Sequence, residues 1–275
     1  MRAGAWTLLV EEALAGPLLE AGLREALEGE ARGSEGVGPS GRGTHRRLVL
    51  EDGRAVILRR YRHGGWLAPL TGERFLGTGR FHREFDLGRR ACATGVPTPR
   101  PVAVGWRRAG LTRRGCLATL EVAGARDLLA VLSEAPSPAA RRACAHAAAR
   151  AVRALHDAGI IHADLHLKNI LVGPDPEGRA PGGAAGEAAT VPHAWIVDLD
   201  LARREGTPLP LRARVPNLAR LARSAEKHRR AGLALGEAEG EAFCEAYFGD
   251  DAAGRRAAGR ALKIARLRAK LHGRA

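Results

Sequence analysis

The apolar positions of this chain change period several times along its length, and each change marks an element. Residues 47–51 alternate, residues 54–61 carry a β-branched block, and Asp52-Gly53 between them predicts a β-hairpin. Phe81, Phe85, Leu87 and Cys92 then recur at helical spacing, which predicts a helix over 80–94. Gly95 ends it, and the Val-Pro-Thr-Pro-Arg-Pro run from Val96 holds the chain extended. Two more strands follow at 101–106 and 115–122, and 125–134 and 138–158 read as helices, the second rich in Ala and Arg. Short strands are expected at Ile160-Ile161, at Ile170-Leu171-Val172 and at Trp195-Ile196-Val197, then helices over 212–235 and 237–247. Residues 1–30 read as an acidic, Leu- and Ala-rich helical segment.

Three stretches lack any period. Residues 33–43 are a glycine cluster, and 173–193 form a Gly-, Ala- and Pro-rich insert, expected to extend a hairpin without order of its own. Residues 255–274 carry eight Lys or Arg and no acid, with Leu262, Leu267 and Leu271 spaced among them. Such a segment suits either an anionic membrane face or a solvated terminal helix.

Composition narrows the class. A chain of 275 residues with 45% hydrophobic content can bury the cores of two lobes. The formal charge of +14 points to anionic partners, although Arg outnumbers Lys 40 to 4, a bias that a GC-rich genome also produces. Two Tyr, five Phe and four Trp offer little stacking surface, which argues against nucleic acid. Cys92, Cys116, Cys144 and Cys244 show neither a C-x-x-C pair nor zinc spacing and fit a reducing compartment. The apolar patch Trp6–Val10 is cut off by Glu11 and Glu12, so no signal peptide is expected. A cytosolic protein, or one peripheral on a cytosolic membrane face, is the expectation.

The chemistry concentrates between the two short strands at 160–172. His162, Asp164, Leu165 and Asn169 fill the fixed positions of H-R-D-L-x-x-x-N, the loop of phosphoryl-transfer enzymes. A carboxylate can orient an attacking hydroxyl and accept its proton, and a carboxamide five residues on can ligate Mg²⁺. Asp198, at the end of an apolar strand, is the expected second Mg²⁺ ligand; Asp200 is either an accessory ligand or a turn residue. His162 reads as a buried scaffold residue, while His166 and Lys168 lie where an acceptor would pass. Val56-Ile57-Leu58 leads to Arg59, a cation for ATP phosphates, with Glu84 on the following helix as its partner. Gly41 and Gly43 are candidates for covering ATP, a flexible linker being the alternative, and Glu121 and Val122 stand where adenine would meet backbone groups.

With these elements in order, the chain resembles the protein-kinase-like superfamily and, within it, the lipopolysaccharide kinase family. The segments that carry the narrower likeness are Leu58-Arg59-Arg60-Tyr61-Arg62-His63-Gly64-Gly65, Arg83-Glu84-Phe85, and Val96-Pro97-Thr98-Pro99-Arg100-Pro101-Val102-Ala103. The resemblance covers about residues 40–225 and is closest to the branch that phosphorylates 3-deoxy-D-manno-octulosonic acid (Kdo), which also writes Arg at the position of Arg59. It implies an α+β, two-lobed kinase-like fold: an N-lobe with an antiparallel sheet over 33–122 and a mainly helical C-lobe over 123–250. A helical extension over 1–32 and a basic helix over 251–275 would flank them. It further implies ATP- and Mg²⁺-dependent phosphorylation of a sugar hydroxyl on Kdo–lipid A, at the cytoplasmic face of the bacterial inner membrane. Arg60, Arg62 and His63 would then face either ATP or the sugar carboxylate, or serve in structural ion pairs. Aminoglycoside phosphotransferases and choline-kinase-like enzymes also write Asp-Leu-His here, so a small molecule, a heptose or a protein is an alternative acceptor. A catalytically silent basic binding module is the alternative from another class.

Overall fold

The computed structural model describes residues 1–29, 45–62, 72–135, 137–174, 192–260 and 263. Gly41, Gly43 and His63, most of the 173–193 insert and most of the basic C-terminal segment lie outside the described residues. The chain divides into two compact units, Met1–Cys92 with Pro99–Val122 and Ala93–Thr98 with Ala123–Ala275.

Unit 1 is built on a six-stranded antiparallel sheet of order β1-β2-β5-β6-β4-β3. Its strands are β1 (Arg2–Ala3), β2 (Trp6–Val10), β3 (His45–Val49), β4 (Ala55–Arg60), β5 (Pro101–Ala109) and β6 (Thr112–Leu120). The Asp52-Gly53 turn joins β3 to β4, with Gly53 at φ +81°, a left-handed conformation that favours glycine. Helix α3 (Gly79–Ala93) buries Phe81, Glu84, Phe85, Gly88 and Ala91, which leaves one carboxylate on an otherwise apolar face.

The first 29 residues depart from the helical expectation. They open with β1 and β2, and the latter alternates buried Trp6 and Leu8 with Thr7 and Leu9, pairing with β5 from Thr7↔Trp106 to Val10↔Ala103. The cause is tertiary: a strand of five residues is specified by a partner almost a hundred residues away. Only then come two single-turn-and-a-half helices, α1 (Ala15–Glu20) and α2 (Leu23–Glu28), separated at Gly22. Leu14, Leu18, Leu23 and Leu27 join Trp6, Leu8, Val56 and Leu58 in one core.

Unit 2 is mainly helical. Asp127 caps helix α4 (Leu128–Glu134) by accepting the Ala130 N–H at 2.9 Å, and Ser137 caps α5 (Pro138–Asp157) at Ala140. Helices α6 (Leu211–Arg230) and α7 (Glu237–Phe248) complete the set used below. Two small sheets hold the loops: β10 (His193–Ile196), β9 (Ile170–Gly173) and β7 (Arg126–Asp127) form one, β11 (Arg203–Arg204) and β8 (Ile160–Ile161) the other. Between α5 and β8, Gly159 sits at φ +78°, where an added Cβ would lie 2.7 Å from the Glu205 carbonyl oxygen. Only glycine delivers the chain from the long helix into β8 at that distance. Among the described residues, no helix is long and apolar enough to cross a membrane.

Candidate active site

The loop between β8 and β9 is fixed by its apolar side chains. Ile160, Ile161, Leu165, Leu167, Ile170 and Val172 are all buried, and within 160–172 only Asp164 is exposed. Its carboxylate keeps 67% of its accessible surface, so a substrate hydroxyl can reach it.

A neutral imidazole organises the backbone beneath. His162 Nδ1 accepts the Asp164 N–H at 3.0 Å, which leaves Nε2–H to donate to the Val197 carbonyl at 3.0 Å. Burial holds His162 below the usual imidazole range, and both bonds require that neutral tautomer. One side chain thus connects the backbone of Asp164 to that of the residue before Asp198. The scaffold role expected for His162 is the one its bonds describe.

Asn169 closes the loop. Its Nδ2 donates to the Asp164 carbonyl at 2.8 Å, and its own backbone N–H returns to the His166 carbonyl at 2.9 Å. Because the amide nitrogen is engaged, the Oδ1 is the end left to face a cation; among the described residues it accepts no hydrogen bond. Antiparallel pairing of Ile170 with Ile196, and the Val197 N–H to Asn169 O bond of 3.0 Å, carry Asp198 to the same end of the hairpin. Asp198 has φ +61° and is the one exposed residue in 193–199, a conformation that Asp tolerates better than most side chains.

An amide oxygen and a carboxylate on paired strands fit Mg²⁺, which is held through one or two protein ligands together with phosphate oxygens. Among the described residues no group of three His, Cys, Asp or Glu could hold a metal by itself. Asp200 lies in the turn that follows, next to Leu201, also at φ +61°.

Helix α6 contributes residues that sequence reasoning missed. Arg220 Nη1 lies 3.5 Å from Asp164 Oδ1, while His166 Nε2 lies 3.5 Å from the other carboxylate oxygen. Ser224 Oγ accepts the Leu167 N–H at 3.3 Å. His228 is lowered from the usual imidazole range by burial and by the nearby Lys227, Lys168 and His166, so it stays neutral beside them. Asn217 clasps His162, accepting its N–H and donating to its carbonyl, each at 2.9 Å. His156 Nε2–H donates to the same Asn217 oxygen at 3.3 Å, and its Nδ1 accepts from the Tyr247 hydroxyl at 2.6 Å. No short motif marks Asn217 or Tyr247, since their partners lie 55 and 91 residues away.

In unit 1, Arg59 Nη2 lies 2.5 Å from Glu84 Oε1, the ion pair expected from the order of the elements. Glu84 is only 4% exposed, and the Arg59 guanidinium also stands 5.3 Å from the centre of the Tyr61 ring. Of the roles left open for Arg60, a phosphate or acceptor contact or a structural one, its bonds describe the structural one. Its Nη2 donates to the Leu27 carbonyl at 2.7 Å and to Ala26 at 3.4 Å, capping the C-terminus of α2. A guanidinium committed to a helix end is a structural group, and Arg60 leaves the acceptor set. Arg62 is half exposed and 3.9 Å from Glu73. At the end of β6 the Glu121 N–H is spent on Ala55, and its carboxylate takes a forked contact from Arg47 at 2.9 Å. What remains for adenine is the Glu121 carbonyl and the Val122 N–H, neither of which has a backbone partner among the described residues.

A model of the lipopolysaccharide kinase (Kdo/WaaP) family matches residues 30–247. The chain belongs to this family. Among its curated relatives, a 3-deoxy-D-manno-octulosonic acid kinase of Stenotrophomonas maltophilia is 32% identical over 198 residues, 70% of this chain and 70% of that one. The corresponding kinase of Vibrio parahaemolyticus is 31% identical over 170 residues, 60% of this chain and 63% of its relative. With the Vibrio cholerae kinase the match covers 62% of the relative, so the chain spans less than two thirds of either Vibrio protein. A solved structure, "WaaP in complex with acyl carrier protein", superposes with a TM-score of 0.54 at 24% identity, covering 94% of this chain and 98% of that one. That likeness shows the kinase-like fold, an antiparallel sheet unit followed by a helical one.

Proposed function

We propose that this member of the lipopolysaccharide kinase family transfers the γ-phosphoryl of ATP to a hydroxyl of Kdo on the lipid-linked inner core. The observation that carries the reading is the loop itself. Asp164 is the one exposed residue of 160–172, and Asn169 is turned by the Asp164 carbonyl so that its oxygen is left for a cation. The names of the relatives supply the acceptor.

Asp164 orients the sugar hydroxyl and accepts its proton, its backbone held by His162 and its carboxylate flanked by His166 and Arg220. Asn169 and Asp198 are the residues that would hold Mg²⁺, which when bound neutralises charge on the transferring phosphoryl group. In unit 1 Arg59, tethered by Glu84, serves the ATP phosphates, and the Glu121 carbonyl and Val122 N–H serve adenine. His166 and Lys168, joined by Arg220, form the basic surround that an anionic sugar would meet. A lipid-linked acceptor places the protein at the cytoplasmic face of the inner membrane, and a formal charge of +14 favours an acidic surface.

The test is transfer of labelled γ-phosphate to purified Kdo–lipid A. Label in the lipid fraction with the wild-type chain and none with Asp164→Ala supports the reading. Consumption of ATP only with a soluble acceptor would keep the kinase and discard the lipid-linked sugar.

A further inference from the structure

The two most exposed large apolar side chains among the described residues are Leu76, at 95%, and Leu111, at 94%. They lie together. Leu111 is in the two-residue turn between β5 and β6, where Gly110 takes φ +64° in the first central position, and Ala109 pairs with Thr112 across it. Phe75 bridges to Arg113 with reciprocal backbone bonds of 2.8 and 2.7 Å, which sets Leu76 beside the same turn. The neighbouring Phe75 is buried, so the chain has an inward place for one apolar residue here and holds the next one in solvent.

The polar residues around this tip are as unusual. Arg107 stands directly across from Arg114, and Arg108 directly across from Arg113. Like charges opposite one another destabilise a β-ladder, so folding alone does not favour two such pairs in succession. Among the described residues none of the four makes a salt bridge to a carboxylate, although Arg107 lies over the Trp6 ring and Arg113 donates to the Thr112 carbonyl. Arg107 and Arg114 share the face that carries buried Trp6, and Arg114 Nε is itself buried, so the cations left beside the exposed leucines are Arg108 and Arg113. An exposed apolar tip with a guanidinium pair beside it is complementary to a bilayer with anionic headgroups. Leucine enters the boundary between headgroups and acyl chains, while arginine holds the phosphates.

We infer that the β5–β6 turn, with Leu76 and Leu111 exposed and Arg108 and Arg113 beside them, docks unit 1 onto an anionic lipid bilayer. This deepens the lipid-linked acceptor reading of the preceding section by assigning the membrane contact to particular residues. It requires nothing of the catalytic loop.

The experiment is sedimentation of the full chain with vesicles of phosphatidylcholine alone or mixed with phosphatidylglycerol. The variants are Leu76→Asp with Leu111→Asp, and Arg108→Ala with Arg113→Ala. Wild-type protein is expected to bind the anionic vesicles at least tenfold more tightly than the neutral ones. Each adsorbed arginine contributes roughly fivefold, so the double arginine variant should lose roughly thirtyfold. The leucine variant should lose a comparable amount that added salt does not imitate. Unchanged thermal melting, together with unchanged transfer to an acceptor dispersed in detergent, separates surface loss from misfolding and from failure of the proposed reaction. Variants that bind anionic vesicles as the wild type does would overturn the inference and leave the tip to a protein partner. Wild-type protein indifferent to phosphatidylglycerol would overturn it equally.

Discussion

The two units secure their candidate functional groups in different ways. In unit 1 a charged guanidinium is held by a carboxylate that the fold has buried, Arg59 against Glu84 at 4% exposure. In unit 2 the exposed Asp164 is held through its backbone by neutral groups, from Tyr247 through His156 and Asn217 to His162. The first arrangement commits charge to the interior and depends on its counter-charge. The second commits only hydrogen bonds and leaves the reacting carboxylate outside the structural ledger. Substitutions should therefore separate activity from stability in unit 2 and couple them in unit 1.

The largest effect expected is on turnover alone. Asp164→Ala removes an exposed carboxylate whose nearest basic side chains are 3.5 Å away, and exposed pairs of that kind contribute little to folding. The rate of phosphate transfer should fall by about 10²–10⁴, the usual contribution of a positioned acid or base, with the melting temperature unmoved. Steady-state kinetics beside a thermal melt reads both. A large drop in melting temperature would break the contrast by showing that the carboxylate belongs to the scaffold.

Arg59→Ala should behave oppositely. It leaves Glu84 buried beside an empty site, and breaking a buried pair costs about 3–5 kcal/mol because one charge is left uncompensated. Exposure of the Arg59 side chain, at 25%, places the expectation at the lower end, about 3 kcal/mol, and nucleotide binding should weaken as well. Chemical unfolding with and without ATP separates the two losses. Replacing both partners with apolar residues should restore part of the stability and none of the binding, which a single structural role for the pair would also require of stability alone.

What was legible beforehand follows the same division. Asp164 and Asn169 lie five residues apart in one loop, and local spacing is what a sequence displays; Asp198 was marked by the apolar strand that ends in it. Arg59 and Glu84 are 25 residues apart, yet the order of strand and helix still brought them together on paper. The strands of the first ten residues were not legible, because β2 finds its partner in β5 and its five residues carry too little pattern alone. Asn217, Tyr247 and Arg220 escaped for a related reason. Each acts on the loop from a helix whose position only the packed unit determines. Arg60 stayed open between ligand and structural roles because a strand residue next to Arg59 points to the opposite face, and the face decides its partner.

Acid should reach the neutral scaffold. Burial pushes His156 down to about 4 from its ordinary 6.5, so the unfolded chain binds a proton that the folded chain refuses between those values. Stability is then full above pH 6.5 and falls as pH drops toward 4, by up to about 3 kcal/mol from this group. Below that window both states are protonated and the loss levels off. His162, also lowered by burial, adds to the loss in the same direction. Urea unfolding at pH 7 and at pH 4.5 measures the slope, and His156→Gln should flatten it. A slope that is unchanged in that variant would mean the acid sensitivity lies elsewhere.

Arg220 offers the smallest and sharpest division between the two modes. Its side chain is 45% exposed and meets Asp164 Oδ1 at 3.5 Å, too long and too solvated to matter for folding. Arg220→Ala should leave unfolding within about 0.5 kcal/mol of wild type. The same guanidinium, however, biases where the Asp164 carboxylate points when an acceptor arrives. Losing that bias should lower kcat about fivefold, close to 1 kcal/mol of barrier, with the KM for ATP unchanged. Arg220→Lys keeps the charge without the planar fork and should recover part of the rate if orientation is the cause. A rise confined to the KM for the anionic acceptor would instead assign Arg220 to substrate capture, alongside Lys168. No kinetic change at all would return the contact to the large class of exposed ion pairs that do nothing measurable.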